Sequence, residues 1–167
     1  MATIVLNLAC LIRHVVAVLL FTTFMSSAFA GIIDCQDWKQ VRRAVDQSAK
    51  KVSGTVQEES GSILLIRIPD INFVLIAPIN ASTGACIGVI LLWQWELDQP
   101  FTLENYVKVQ KKLYPAKIRN TNETKPSETE VSLGIVMMGG MSDEIFMVNF
   151  ETFLQKIRDL TTTHGRK

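Results

Sequence analysis

The sequence predicts an α+β fold: a twisted antiparallel sheet of four or five strands packed against helices, in the order α-β-β-β-α-β-β-α. Three observations predict it. Apolar residues recur every three or four positions in three separate segments. Between those segments they alternate by two, as in half-buried strands. Short turns join most of the strands and no β-α-β crossover unit is visible, which leaves antiparallel pairing.

Ahead of the first element, residues 1–30 contain no Asp or Glu, and Arg13 and His14 are their only basic side chains. Residues 15–24 are apolar, and Ala28-Phe29-Ala30 has the small-x-small form that signal peptidase accepts. A secretory signal peptide cut between Ala30 and Gly31 is expected, followed by a single domain over 31–160 and a disordered polar tail over 161–167. Residues 4–12 are also apolar, so an uncleaved N-terminal anchor is the competing reading.

Asp34 and Asp37 are N-cap candidates for a helix over about 36–50, with Trp38, Val41, Ala44 and Val45 on one side. Gly54 breaks it, and a strand over 52–57 is optional. Strand 62–68 puts Leu64, Ile66 and Ile68 in one phase and Arg67 in the other. Pro69-Asp70 turns the chain into strand 71–77, where Ile71, Phe73 and Leu75 are in phase. After a loop over 78–84, strand 86–96 aligns Ile87, Val89, Leu91, Trp93 and Trp95, and its apolar density makes it central. Pro100 ends it. Thr102 caps a second helix, with Phe101 placed to staple onto Tyr106, and Pro115 stops that helix after about Leu113. Residues 116–119 begin a strand, 120–128 form a solvated hairpin loop, and 131–138 align Val131, Leu133, Ile135 and Met137. Gly139-Gly140 turns the chain. Ser142 caps a last helix through about Leu160, whose stripe is Phe146, Phe150, Phe153, Leu154 and Ile157.

One of the 17 Lys and Arg, Arg13, lies in the leader, which leaves the processed chain formally balanced against its 16 Asp and Glu. No basic excess is present to displace counterions from nucleic acid, so no nucleic-acid partner is expected, and a membrane is met only through an uncleaved leader. Cys35 and Cys86 remain after processing. In an oxidising compartment they can pair, or they can stay as two buried thiols that never meet.

The folded body is expected to hold no histidine, because His14 leaves with the leader and His164 falls in the tail. That argues against a histidine base, a histidine-containing zinc site and Ser-His or Cys-His nucleophiles. Gly140-Met141-Ser142-Asp143-Glu144 is half of a nucleophile elbow, and Ser142 is better explained as a helix cap. Ser48-Ala49-Lys50-Lys51 satisfies S-x-x-K without the companion motifs of penicillin-recognising enzymes. Glu58 with Glu59, Glu96 with Asp98, and Asp143 with Glu144 are carboxylate pairs for which a solvated surface suffices. No catalytic, metal or cofactor residue is assigned.

Leu91, Trp93 and Trp95 form one face of the central strand. It is either core beneath a helix or an exposed patch suited to binding a protein or a second copy.

The segment 73–157 resembles the exported members of the bacterial YbjN family. The resemblance rests on the cysteine-bearing strand Cys86-Ile87-Gly88-Val89-Ile90-Leu91-Leu92, on the helix start Leu103-Glu104-Asn105-Tyr106, and on the strand running into Gly139-Gly140-Met141-Ser142 before a Phe-rich helix. Val107 and Lys108 stand where the family commonly has tryptophan and a second asparagine, and a second cysteine just upstream of Cys86 is missing. The resemblance implies a type III secretion chaperone-like fold, often dimeric, and a loosely defined regulatory role without a reaction. A non-enzymatic binding or adaptor module, periplasmic or secreted from a bacterium and homodimeric or bound to a protein partner, is therefore expected. The alternative is a small periplasmic hydrolase or ligand-binding enzyme using carboxylates such as Glu96, Asp98 or Glu144, and a structural cell-envelope protein comes third.

Overall fold

A computed structural model describes residues 31–96, 102–120 and 128–164 of the 167-residue chain. The chain divides into two compact units, Met1–Ile32 and Ile33–Lys167, and every element after the first belongs to the second unit. In order the elements are β1 (Ile32–Ile33), α1 (Trp38–Lys51), β2 (Thr55–Ser60), β3 (Ile63–Ile68), β4 (Asn72–Asn80), β5 (Cys86–Glu96), α2 (Leu103–Leu113), β6 (Lys117–Asn120), β7 (Glu128–Val136), β8 (Met141–Ser142) and α3 (Asp143–His164).

The fold class is α+β, with three helices among the described residues and one six-stranded antiparallel sheet ordered β2-β3-β4-β5-β7-β6. The sheet is wider than the four or five strands expected, because the optional segment is a true strand, β2. Its sequence, TVQEES, is too polar to announce itself, and only Val56 packs against the core.

Helix α1 begins where the Asp37 side chain accepts a bond from the Lys39 amide. It buries Val41, Ala44, Val45 and Ala49 and packs on α3, β2 and β3. Helix α2 is capped by Thr102, whose Oγ1 accepts from the Asn105 amide. The Phe101 staple, the loop over 121–127, Asp98 and the cleavage residue Ala30 lie outside the described residues. Helix α3 buries Phe146, Phe150, Phe153, Leu154, Ile157 and Leu160. It continues through His164 rather than stopping near Leu160, so Thr161–His164 are helical and not a disordered tail. The threonine hydroxyls bond back onto that last turn: those of Thr161 and Thr162 donate to the Arg158 carbonyl, and that of Thr163 to the Asp159 carbonyl.

The two faces of the sheet differ. On the helix-covered face lie Leu64, Ile66, Val74, Ile76, Val89, Leu91, Trp93, Val131, Leu133 and Ile135, all buried. Strand β4 does not keep Ile71 in phase with Phe73 and Leu75. Asn72 takes a positive φ of 77°, which breaks the alternation: Ile71 is buried in the core, while Phe73 and Leu75 fall on the opposite face from Val74 and Ile76.

Candidate functional site

The aromatic face of β5 is core. Leu91 is 0%, Trp93 2% and Trp95 8% exposed. The two indoles stack with centroids 4.3 Å apart and planes 23° from parallel. Trp93 Nε1 donates to the Ile71 carbonyl at 3.0 Å, so the turn before β4 is tied to the middle of the sheet. Of the two arrangements open to Leu91, Trp93 and Trp95, burial beneath the helices is the one found, and the three are not on the surface. The apolar side of α1 and the Phe stripe of α3 pack on that side, α1 on β2 and β3 and α3 on β7.

No helix of the described residues covers the opposite face. Its rows follow from strand register. Leu65, Leu75, Leu92, Ser132 and Lys117 lie side by side across β3, β4, β5, β7 and β6. Ala77, Ile90 and Gly134 form the next row, and Ile79, Gly88 and Val136 the one after. In the other direction Arg67 pairs with Phe73, and Gln94 lies beside Glu130 and Arg119. Leu65, Leu75, Ile90 and Leu92 are only half-buried, and Phe73 and Val136 are 45% and 63% exposed. The centre of this face is thus apolar, with a polar row along one end.

That polar row contains an acid that the sequence did not single out. Glu130 is 4% exposed, and both of its oxygens accept bonds. Oε1 accepts from Arg119 Nε at 2.7 Å and Oε2 from Gln94 Nε2 at 3.3 Å. The neighbouring carboxylate pushes the Arg119 guanidinium above its already high ordinary value. Only the period-two placement of Gln94, Arg119 and Glu130 on facing strands hinted at the cluster, and the pairing of β6 with β7 was needed to see it.

The other expected residues disperse. Ser48 is buried and donates to the Ala44 carbonyl at 2.9 Å, a helix-internal bond that leaves S-x-x-K without a free nucleophile. Ser142 Oγ accepts from the Ile145 amide, as a cap does. Glu96 and Glu144 are exposed on separate elements, and the side chains of Glu58 and Glu59 lie outside the described residues. Gly139 and Gly140 take φ of 81° and 90° in the turn before β8, so backbone conformation accounts for both. His164 closes α3, a place within the ordered helix and not in a tail.

Cys35 and Cys86 are joined by a disulfide, their Cα atoms 5.8 Å apart, which fastens the segment before α1 to the start of β5. Gln36 Nε2 donates to the Cys86 carbonyl alongside. A cleft of about 540 Å³ lies between α2 and α3, floored by Val109, Leu113 and Leu160 and rimmed by Lys112, Lys156 and Asp159. Lys156 Nζ is engaged there with the Lys112 carbonyl. Among the described residues no group of three or more His, Cys, Asp and Glu is placed to hold a metal ion, and no helix is long and apolar enough to cross a membrane. Comparison with family models, with curated proteins and with solved structures finds no match.

Proposed function

We propose that this chain is an exported, non-enzymatic binding or adaptor module of the YbjN-like type, with a type III secretion chaperone-like arrangement of sheet and helices, acting through the open face of its sheet. The observation that supports it most is the row structure of that face. Leu65, Leu75 and Leu92 stand abreast on three adjacent strands, with no helix of the described residues over them. Contiguous apolar surface of this kind on a small domain marks a site of interaction. The Ala28-Phe29-Ala30 segment and the Cys35–Cys86 bridge support a periplasmic or secreted setting.

Capture from periplasmic extract tests it. The wild-type chain is expected to retain a defined protein that an Ile90→Lys/Leu92→Lys variant releases, while Trp93→Phe, which alters only the buried face, retains it. Equal recovery by all three would remove the open face from consideration.

A carboxylate-dependent hydrolase is the second reading, and buried Glu130 between Arg119 and Gln94 is what favours it. Turnover of a small ester or glycoside by the purified chain, abolished by Glu130→Gln, would establish that reading and displace the first.

A further inference from the structure

We infer that the C-terminal half of β7 is a docking edge for a short extended stretch of another polypeptide, which adds to the sheet there as a strand. This edge is a surface distinct from the open face, since the groups that bind are main-chain groups at the rim of the sheet. Unequal strand lengths create it. β7 pairs with β5 along its whole length, from Glu128 to Val136. On its other side β6 reaches only from Thr129 to Ser132. Ahead of β6 the chain turns out of the sheet, where the Ala116 amide donates to the Leu113 carbonyl. Among the described residues, 133–136 therefore have one neighbouring strand and not two.

Hydrogen-bond phase says which groups face the gap. In an antiparallel ladder a residue sends its N–H and C=O to the same neighbour, and successive residues alternate sides. The Met137 amide donates to the Ile87 carbonyl of β5. Leu133 and Ile135 are in phase with Met137 and turn the same way. Gly134 and Val136 are in phase with Glu130 and Ser132, which meet Arg119 and Lys117 of β6. Their amides and carbonyls thus point away from β5, and among the described residues neither backbone makes a hydrogen bond on that side. Both residues are exposed, Val136 to 63%. Two donors and two acceptors stand in a row about 7 Å long, with the spacing of another extended main chain.

Elsewhere the rim is guarded. β2 is bulged between Glu58 and Ser60, and β6 carries Lys117 and Arg119. Bulges and charges keep edges from pairing. Leu133-Gly134-Ile135-Val136-Met137-Met138 has no charge and no proline, and its register on β5 is unbroken through Val136. The gap also fixes the kind of occupant. A strand longer than the gap would run into β6, so a short loose segment fits where the edge of a second folded sheet does not. Gly134 has no side chain, so the residue opposite it can be large and apolar. The partner that fits is an uncharged apolar segment in extended conformation.

Hydrogen exchange followed by NMR tests this, with a labelled peptide of alternating valine and threonine, about seven residues long, as the probe. In the free chain the amides of Gly134 and Val136 are expected to exchange fast, and those of Ile135 and Met137 slowly. The peptide is expected to bind with a Kd tighter than about 1 mM and to slow exchange at Gly134 and Val136 at least about tenfold. The same peptide N-methylated throughout keeps its side chains but has no main-chain donors, and it is expected not to bind. Val136→Pro removes an N–H that faces the gap and no bond to β5, so the domain is expected to fold, checked by circular dichroism, and to bind at least about tenfold more weakly. Should that variant fail to fold, the methylated peptide and the exchange pattern decide alone. No binding at about 1 mM, equal binding of the methylated peptide, or a bound peptide that leaves Gly134 and Val136 unprotected would each overturn the inference. A chain that binds the peptide yet captures no protein from extract keeps the edge and discards the open face. One that captures a protein through Ile90 and Leu92 while ignoring the peptide does the reverse.

Discussion

At Gly88 the backbones of β5 and β7 approach so closely that a Cβ would overlap the Ile135 carbonyl oxygen, a main-chain atom that cannot swing aside. The Met137 amide donates to the Ile87 carbonyl at the same place, which holds the end of β7 in position. Gly88→Ala is therefore expected to cost about 1–3 kcal/mol, read as a lower urea midpoint at unchanged slope. Trp93 offers a second test. Trp93→Phe keeps most of the ring volume but removes the donor to the Ile71 carbonyl, and a buried acceptor left unpaired costs about 1–3 kcal/mol. The signature is a loss of stability without loss of sheet signal in circular dichroism. Arg119 and Glu130 give the pH test. With its folded value raised, the guanidinium lends stability that is complete below the ordinary arginine range and is lost only as pH rises through that raised value. Arg119→Met is expected to lower the urea midpoint by the same amount at pH 7 and at pH 9.

The elements were legible to different degrees, and the reasons are physical. β5 was readable to the residue, Cys86–Glu96, because its alternation is dense and Pro100 follows. Helix α2 ends at Leu113 as Pro115 dictates, and α1 starts after Asp37 as its carboxylate dictates. The reach of α3 was not legible, since three threonines and a histidine look like a tail until the threonine hydroxyls are seen bonding back to the helix carbonyls. Nor was the phase of β4, which depends on a single left-handed residue, Asn72. Periodicity marks two faces of a strand but does not say which one a helix will cover. In β5 both phases are apolar, so the difference between the tryptophan face and the Ile90–Leu92 face emerged only with the packing of α3. Phe150, in the middle of that helix and fully buried, is the residue on which the packing should most depend. Phe150→Ala is expected to cost about 3–5 kcal/mol, measured by denaturant unfolding.

Across the whole molecule, the disulfide and the one-sided helical layer set the behaviour. Cys35 and Cys86 are 51 residues apart, and closing a loop of that length restricts the unfolded chain by about 4 kcal/mol in the loop-entropy account. Reduction, or Cys35→Ser with Cys86→Ser, is expected to lower the unfolding free energy by about 2–4 kcal/mol while the helices and sheet persist in circular dichroism. The bridge enters the sheet at the head of β5, the strand that both halves of the sheet share. Its loss should therefore lower one cooperative transition rather than split it into two. The candidate interaction surface was the least legible feature. It is assembled from four strands spread over 63–136, and no local stretch of sequence carries it.

The order in which the chain is made gives the helical layer a further meaning. A ribosome delivers every strand of the large sheet before it reaches residues 143–164, the segment that carries the buried phenylalanines. Until then the nascent polypeptide lacks Phe146, Phe150 and Phe153, three of the largest side chains of its core. A chain truncated ahead of Asp143 is therefore expected to keep the strand pairing and the packing of α1 on β2 and β3 but to leave the core unfinished, read as loss of a cooperative urea transition.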